Sequence, residues 1–212
     1  MQTSSSNDGQ MFKGQGTAYS NAVSNGVNFA CSYRFLNPWA RTNFVAMNAE
    51  QWGDGSSCGR CVRARCTDSQ CTKNDFVTLY VVDKCPECKY GDLDMSIPAY
   101  KQVTGLWPNR LEIEWEWTTC AQDMTGNIHW DPKDGSNENW QAFYISNPAQ
   151  ALKSVMLNGK ELQRETFNFW VHSSSLGSAP YKLEFVSLNG TSVSKTVDSV
   201  LKSMDLGINF NF

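Results

Sequence analysis

The chain has 212 residues, 41% hydrophobic and 18% charged, the composition of a globular protein with room for one large domain or two of about 100 residues each. Its 18 Lys and Arg nearly balance 21 Asp and Glu, evenly along the chain, so no basic face follows a phosphate backbone and no nucleic-acid partner is expected. The apolar runs are too short to span a bilayer, which removes a membrane partner, and the N-terminus lacks the apolar stretch of a signal peptide.

In chain order, residues 1–13 are polar and Ser-rich and read as a disordered lead-in. From Gly14 the chain is dense in Gly, short apolar runs and cysteine. All 8 cysteines lie between Cys31 and Cys120. An even number confined to one half reads as a disulfide framework, hence an oxidising compartment and a secreted protein whose first Met is an added start. The rival reading is a zinc ribbon built on Cys58-x-x-Cys61 and Cys85-x-x-Cys88, but it leaves four cysteines over. Residues 76–82 are β-branched and aromatic and read as a buried strand. Residues 97–103 fit one short helix. Residues 111–117 alternate strictly, with Leu111, Ile113, Trp115 and Trp117 on one face and Glu112, Glu114 and Glu116 on a solvated one.

Residues 121–126 read as a linker, and the style then changes. Strand-like segments at 140–145, 167–171 and 181–186 accompany Asn158-Gly159 and Asn189-Gly190, both hairpin signals. Short strands at this spacing describe a β-sandwich, so the expected fold is all-β in two domains. Asn189-Gly190-Thr191 is also a sequon for N-glycosylation.

The chemistry-bearing residues are few. The only histidines, His129 and His172, lie in the second half, so the cysteine-rich half lacks the base of a nucleophile system. No glycine-rich phosphate loop is present, and no cofactor is expected. Asp83 ends the buried strand and Asp94 precedes the helix. Either carboxyl suits a cleft mouth with a raised pKa, or Asp94 caps the helix and Asp83 starts a turn. Eight tryptophans are the other signal, since aromatic faces stack on sugar rings.

These residues occur in a familiar order. Gly14-Gln-Gly-Thr17-Ala-Tyr19 resembles the Gly-x-x-Thr-x-Tyr opening of expansins. Cys58-Gly59-Arg60-Cys61 followed by Cys66 is similar to their cysteine core, Val81-Val82-Asp83 to the strand ending in an aspartate, and Gly91 to Tyr100 to their Asp-Leu-Ser-x-x-Ala-Phe element. The second half resembles the family at Gly135 to Trp140 and Phe167 to Val171. The departures point to a microbial-type expansin with plant-like cysteines.

The resemblance implies a six-stranded double-psi β-barrel over 14–120, related to family 45 endoglucanases, then an immunoglobulin-like cellulose-binding β-sandwich over 127–212. It implies the pairs Cys31–Cys58, Cys61–Cys120 and Cys66–Cys71, leaving Cys85–Cys88 as a local bridge and no metal. It assigns Asp94, supported by Asp83, Thr17 and Tyr19, to the groove. Trp140 and Phe167 match an aromatic platform, with Trp130 as a substitute where Asn139 replaces another ring. Ser20 and Asn21 stand where the related endoglucanases carry their base, and an amide cannot accept a proton from water. The implied activity is therefore non-hydrolytic loosening of cell walls by a secreted monomer. Cellulose and other cell-wall β-glucans or xyloglucan are the expected partners. An inverting endoglucanase and an inert binding module are the alternatives.

Overall fold

The computed structural model describes residues 9–120 and 123–210. The first half forms β1 (Phe12–Ser20), β2 (Phe44–Asn48), β3 (Cys61–Cys66), β4 (Val77–Cys85), β5 (Leu93–Ser96), α1 (Ile97–Thr104) and β6 (Leu111–Thr118). The six strands close into a barrel in the order β1-β5-β2-β4-β3-β6. Two neighbour pairs, β1 with β5 and β2 with β4, are parallel, and the rest are antiparallel. Closure leaves no unpaired edge.

Sequence pattern and structure meet most directly at β6. Leu111, Ile113 and Trp115 are buried in the barrel core. Two of the three glutamates on the other face pair across strands, and Glu112 is exposed. Glu116 bonds Arg63 and Glu114 bonds Arg65, each directly opposite in register. α1 begins where expected and is capped by Ser96, whose Oγ accepts from the Ala99 N–H at 3.1 Å. Gly105, with φ of 76°, ends it. Because Ser96 does the capping, Asp94 is released for other work.

The barrel starts earlier than the composition indicates. β1 begins at Phe12, buried against Trp115 with ring centroids 4.5 Å apart, so the lead-in boundary moves back from residue 13. Apolar burial of one ring outweighs the polar neighbours that disguised it. Residues 1–8 lie outside the described residues. Gly14 is required by close approach, since a Cβ there would stand 2.3 Å from the Gly91 carbonyl group. All eight cysteines are bonded, as Cys31–Cys58, Cys61–Cys120, Cys66–Cys71 and Cys85–Cys88. No thiolate remains for a zinc ribbon.

The second half forms β7 (His129–Pro132), β8 (Gln141–Ser146), β9 (Leu152–Leu157), β10 (Lys160–Glu161), β11 (Gln163–Arg164), β12 (Phe169–His172), β13 (Tyr181–Ser187), β14 (Ser192–Val197) and β15 (Met204–Asp205). They make a four-stranded sheet, β10-β9-β13-β14, and a five-stranded sheet, β11-β12-β8-β7-β15. Residues from both sheets, among them Trp130, Phe143, Trp170, Val155, Leu183 and Phe185, share one core. The two Asn-Gly hairpins differ. Asn158 and Gly159 both take positive φ between the paired Leu157 and Lys160, a two-residue loop. At the other, only Gly190 does, and Ser187 bonds across to Thr191 around a three-residue loop. The expected strand at 167–171 starts only at Phe169, because Asn168 sits at φ of 57° in a turn from Glu165.

Within the expected linker, residues 121–122 lie outside the described residues, while Met124 is buried in the barrel core. The two halves are bonded directly. The backbone N–H groups of Arg34 and Phe35 donate to Ser146 Oγ at 2.9 and 3.3 Å, and Asn168 Nδ2 donates to the Cys31 carbonyl at 3.2 Å. The Phe35 ring stacks on His129 at 4.0 Å. Gly55, with φ of 88°, lies against the Thr166 carbonyl, where a Cβ would come within 3.1 Å.

Candidate functional site

Strand register lays the barrel candidates in one row. Thr17 on β1 pairs with Asp94 on β5, Asp94 with Ala46 on β2, and Ala46 with Asp83 on β4. Residues paired across neighbouring strands send side chains to the same face. Thr17, Asp94 and Asp83 are half-buried, whereas the residues before each aspartate, Leu93 and Val82, are in the core. The row therefore lines the outer face, and the small Ala46 leaves the two carboxylates unobstructed between them.

Each carboxylate is held differently. Thr17 Oγ1 donates to Asp94 Oδ1 at 2.6 Å. Asp83 Oδ1 takes two backbone donors, Ala30 N–H at 2.7 Å and Lys84 N–H at 2.9 Å. Burial pushes both carboxyl groups above the usual aspartate range. For Asp94 the Thr17 hydrogen bond and the Arg110 cation oppose that rise, while Glu87 and Asp83 add to it. Tyr19, two residues on from Thr17 and 38% exposed, interacts with Asp83. Burial and that neighbouring charge push its phenol far up, so it stays a neutral donor. The four sequence-predicted groove residues, Asp94, Asp83, Thr17 and Tyr19, thus come together.

Two further charges stand at this row. Arg110 immediately precedes Leu111, which pairs with Gly16, so it stands at the β6 side next to Thr17. Glu87 is carried by the Cys85–Cys88 bridge. Cys85 follows Asp83 by two residues on β4 and leaves from the same face. Lys89 N–H donates to Asp92 Oδ2, and Asp92 precedes Asp94 by two. The loop 85–89 is thereby folded onto the face of this row, where the charge of the exposed Glu87 acts on Asp94. Local sequence gives no sign of either role. Counting alternation outward from Asp83 and register outward from Leu111 finds both.

In the second half, Trp140 just before β8 is 36% exposed and Phe167 at the β11–β12 turn is 58% exposed. Trp130 is not available as their substitute. It is 0% exposed in the sandwich core, and its indole N–H donates to the Val200 carbonyl at 3.0 Å. Alternation along β7 explains this, since Trp130 faces inward with Ile128 while His129 and Asp131 face out. The ring that does share the outer face is Phe169, edge-on to Tyr144 at 6.2 Å, with Lys133 5.9 Å over it. Trp140 lies four residues from Tyr144, about 14 Å along the sheet. His172 is buried and tied through Nδ1 to Gln141 Oε1 at 2.7 Å, and burial lowers its proton affinity.

A closed barrel bearing a paired-aspartate row, bonded to a two-sheet unit with exposed rings, defines a two-part protein of expansin architecture. The crystal structure of the apo Clavibacter michiganensis expansin superposes with a TM-score of 0.73, covering 92% of this chain and 96% of that one at 18% identity. An aspartate-to-asparagine variant of that expansin in complex with cellohexaose gives a TM-score of 0.75 over 94% of this chain and 98% of that one, again at 18% identity. In sequence, the chain is 26% identical to Expansin-like protein 5 of Dictyostelium discoideum over 95% of its own length and 86% of the relative's. It is 26% identical to Expansin-YoaJ of Bacillus subtilis over 59% of its own length and 55% of the relative's. No protein-family model matches the chain. In sequence the chain is thus similar to expansins and expansin-like proteins, and its fold is that of the Clavibacter expansin.

Proposed function

We propose that this protein is a secreted expansin that binds cellulose and related cell-wall β-glucans and loosens the wall without hydrolysing them. In this reading the barrel from Phe12 to Cys120 is a double-psi domain and the unit from Asn127 onward an immunoglobulin-like cellulose-binding sandwich, joined through 121–126. Asp94 accepts hydrogen bonds from glucan hydroxyls in the groove, Thr17 fixes its orientation, and Tyr19 and Asp83 extend the polar row. Trp140 and Phe167 stack on the chain, with Phe169 as the third ring.

The observation that carries the reading is the row itself, which sets Asp94 beside a second aspartate tied to the backbone through one oxygen. Asp94 has the desolvated setting of a proton donor, with its carboxyl pushed up by burial. Inverting hydrolysis also needs a carboxylate that activates water from the opposite side. Asp83 spends Oδ1 on two amide donors, and Ser20 and Asn21 offer a hydroxyl and an amide beyond Tyr19. Four disulfides support an oxidising, extracellular setting. Among the described residues, no helix is long and apolar enough to cross a membrane.

The test pairs two assays on one sample: reducing-end release from amorphous cellulose and mechanical weakening of cellulose paper. Weakening without new reducing ends is the expected result. Sustained release of reducing ends would make the protein an endoglucanase and overturn the proposal.

A further inference from the structure

We propose that Asn189 is an N-glycosylation site, an inference that rests on the secretory route proposed above. Asn189-Gly190-Thr191 is the one Asn-x-Ser/Thr triplet in the sequence. A sequon alone is common, and its position in the fold decides whether a glycan can be carried. Here it forms the tip of the β13–β14 hairpin, where Leu188, Asn189, Gly190 and Thr191 are all exposed.

The tip is also ordered so that the acceptor atom is spare. Asn189 Oδ1 accepts from Ser187 Oγ at 2.5 Å and from the Thr191 N–H at 3.0 Å. Both internal hydrogen bonds fall on the oxygen, so Nδ2, the atom that takes the sugar, is not the one the turn uses. Gly190 carries the positive φ of 89° that the turn needs, which leaves Asn189 in an ordinary backbone conformation. The other Asn-Gly tip, at Asn158, has Lys160 in the third position and is no acceptor.

The reaction is a group transfer from a lipid-linked oligosaccharide pyrophosphate. Nδ2 bonds to the anomeric carbon, the carbon–oxygen bond to the pyrophosphate breaks, and the lipid pyrophosphate leaves with that electron pair. The amide nitrogen gives up one proton, and nothing is oxidised or reduced. The glycan would stand on the four-stranded sheet, on the other side of the core from the sheet that carries Trp140 and Phe169. It therefore leaves the aromatic face open.

The full chain is translated with microsomes behind a cleavable signal sequence, with a C-terminal tag carrying a sequon that is always used. The tag reports translocation independently of the proposed natural secretion, and only tag-glycosylated chains are scored. The wild type is expected to carry two endoglycosidase-sensitive glycans, Thr191→Ser two, and Thr191→Ala and Asn189→Gln one. A wild-type chain glycosylated at the tag alone overturns the assignment. Purified glycosylated protein is expected to bind crystalline cellulose as its Asn189→Gln variant does. A severalfold loss of binding by the glycosylated form would refute the placement.

Discussion

Asp94→Asn should separate the groove from the aromatic face. The substitution keeps shape and replaces a carboxylate by an amide at the centre of the row. Thr17 holds one side-chain position; in the variant its hydroxyl can accept from Nδ2, which leaves Oδ1 as a neutral acceptor in place of the carboxylate oxygen proposed to meet glucan. A hydrogen bond to a charged acceptor contributes about 1.5–3 kcal/mol and a neutral one about 0.5–1.5 kcal/mol, a difference of about 1–1.5 kcal/mol. That is roughly a tenfold weaker Kd for a soluble cello-oligosaccharide, which isothermal titration resolves. Burial already disfavours the Asp94 charge, so the variant should fold at least as stably as the wild type. Binding to crystalline cellulose, which the proposal gives to the exposed rings, should be nearly unchanged while paper weakening is lost. Trp140→Ala should do the reverse, lowering crystalline-cellulose affinity severalfold, since a stacking ring contributes about 1 kcal/mol, and sparing oligosaccharide binding. Unchanged loosening by Asp94→Asn would refute the role of the row. Parallel loss of both kinds of binding would refute the division of labour.

Three further outcomes follow from the geometry. Folded-state proton affinities raised above the unfolded values mean that Asp83 and Asp94 stabilise the fold most below the ordinary aspartate pKa. That stability is lost as pH rises through their raised values, so Asp83→Asn/Asp94→Asn should flatten the acid side of a Tm-versus-pH curve. A double variant whose curve parallels the wild type would contradict this. Glu87→Gln should lower the Asp94 pKa followed by carboxyl NMR, and Arg110→Gln should raise it, because the two charges act on Asp94 in opposite directions. Replacing Cys61 and Cys120 by Ser opens a loop of 59 residues and should cost about 4 kcal/mol in the chain-entropy model, measured by urea unfolding.

Local chemistry was legible in the sequence where a short-range rule governs it. The alternation at 111–117, the short helix at 97–103 and the Asn158-Gly159 turn each depend on neighbours a few residues away. The motif order carried the groove residues, and Thr17, Tyr19, Asp83 and Asp94 do gather. Tertiary structure alone decided which tryptophans are surface. Trp130 and Trp140 look alike in sequence, but strand parity buries the first and the entry to β8 exposes the second. It decided that Phe12 belongs to the barrel, through a contact with Trp115 more than a hundred residues away. It decided the roles of Glu87 and Arg110 too, because barrel closure brings β4, β5 and β6 to one face. Hydrogen-bond register between distant strands sets that proximity, and no local pattern encodes it.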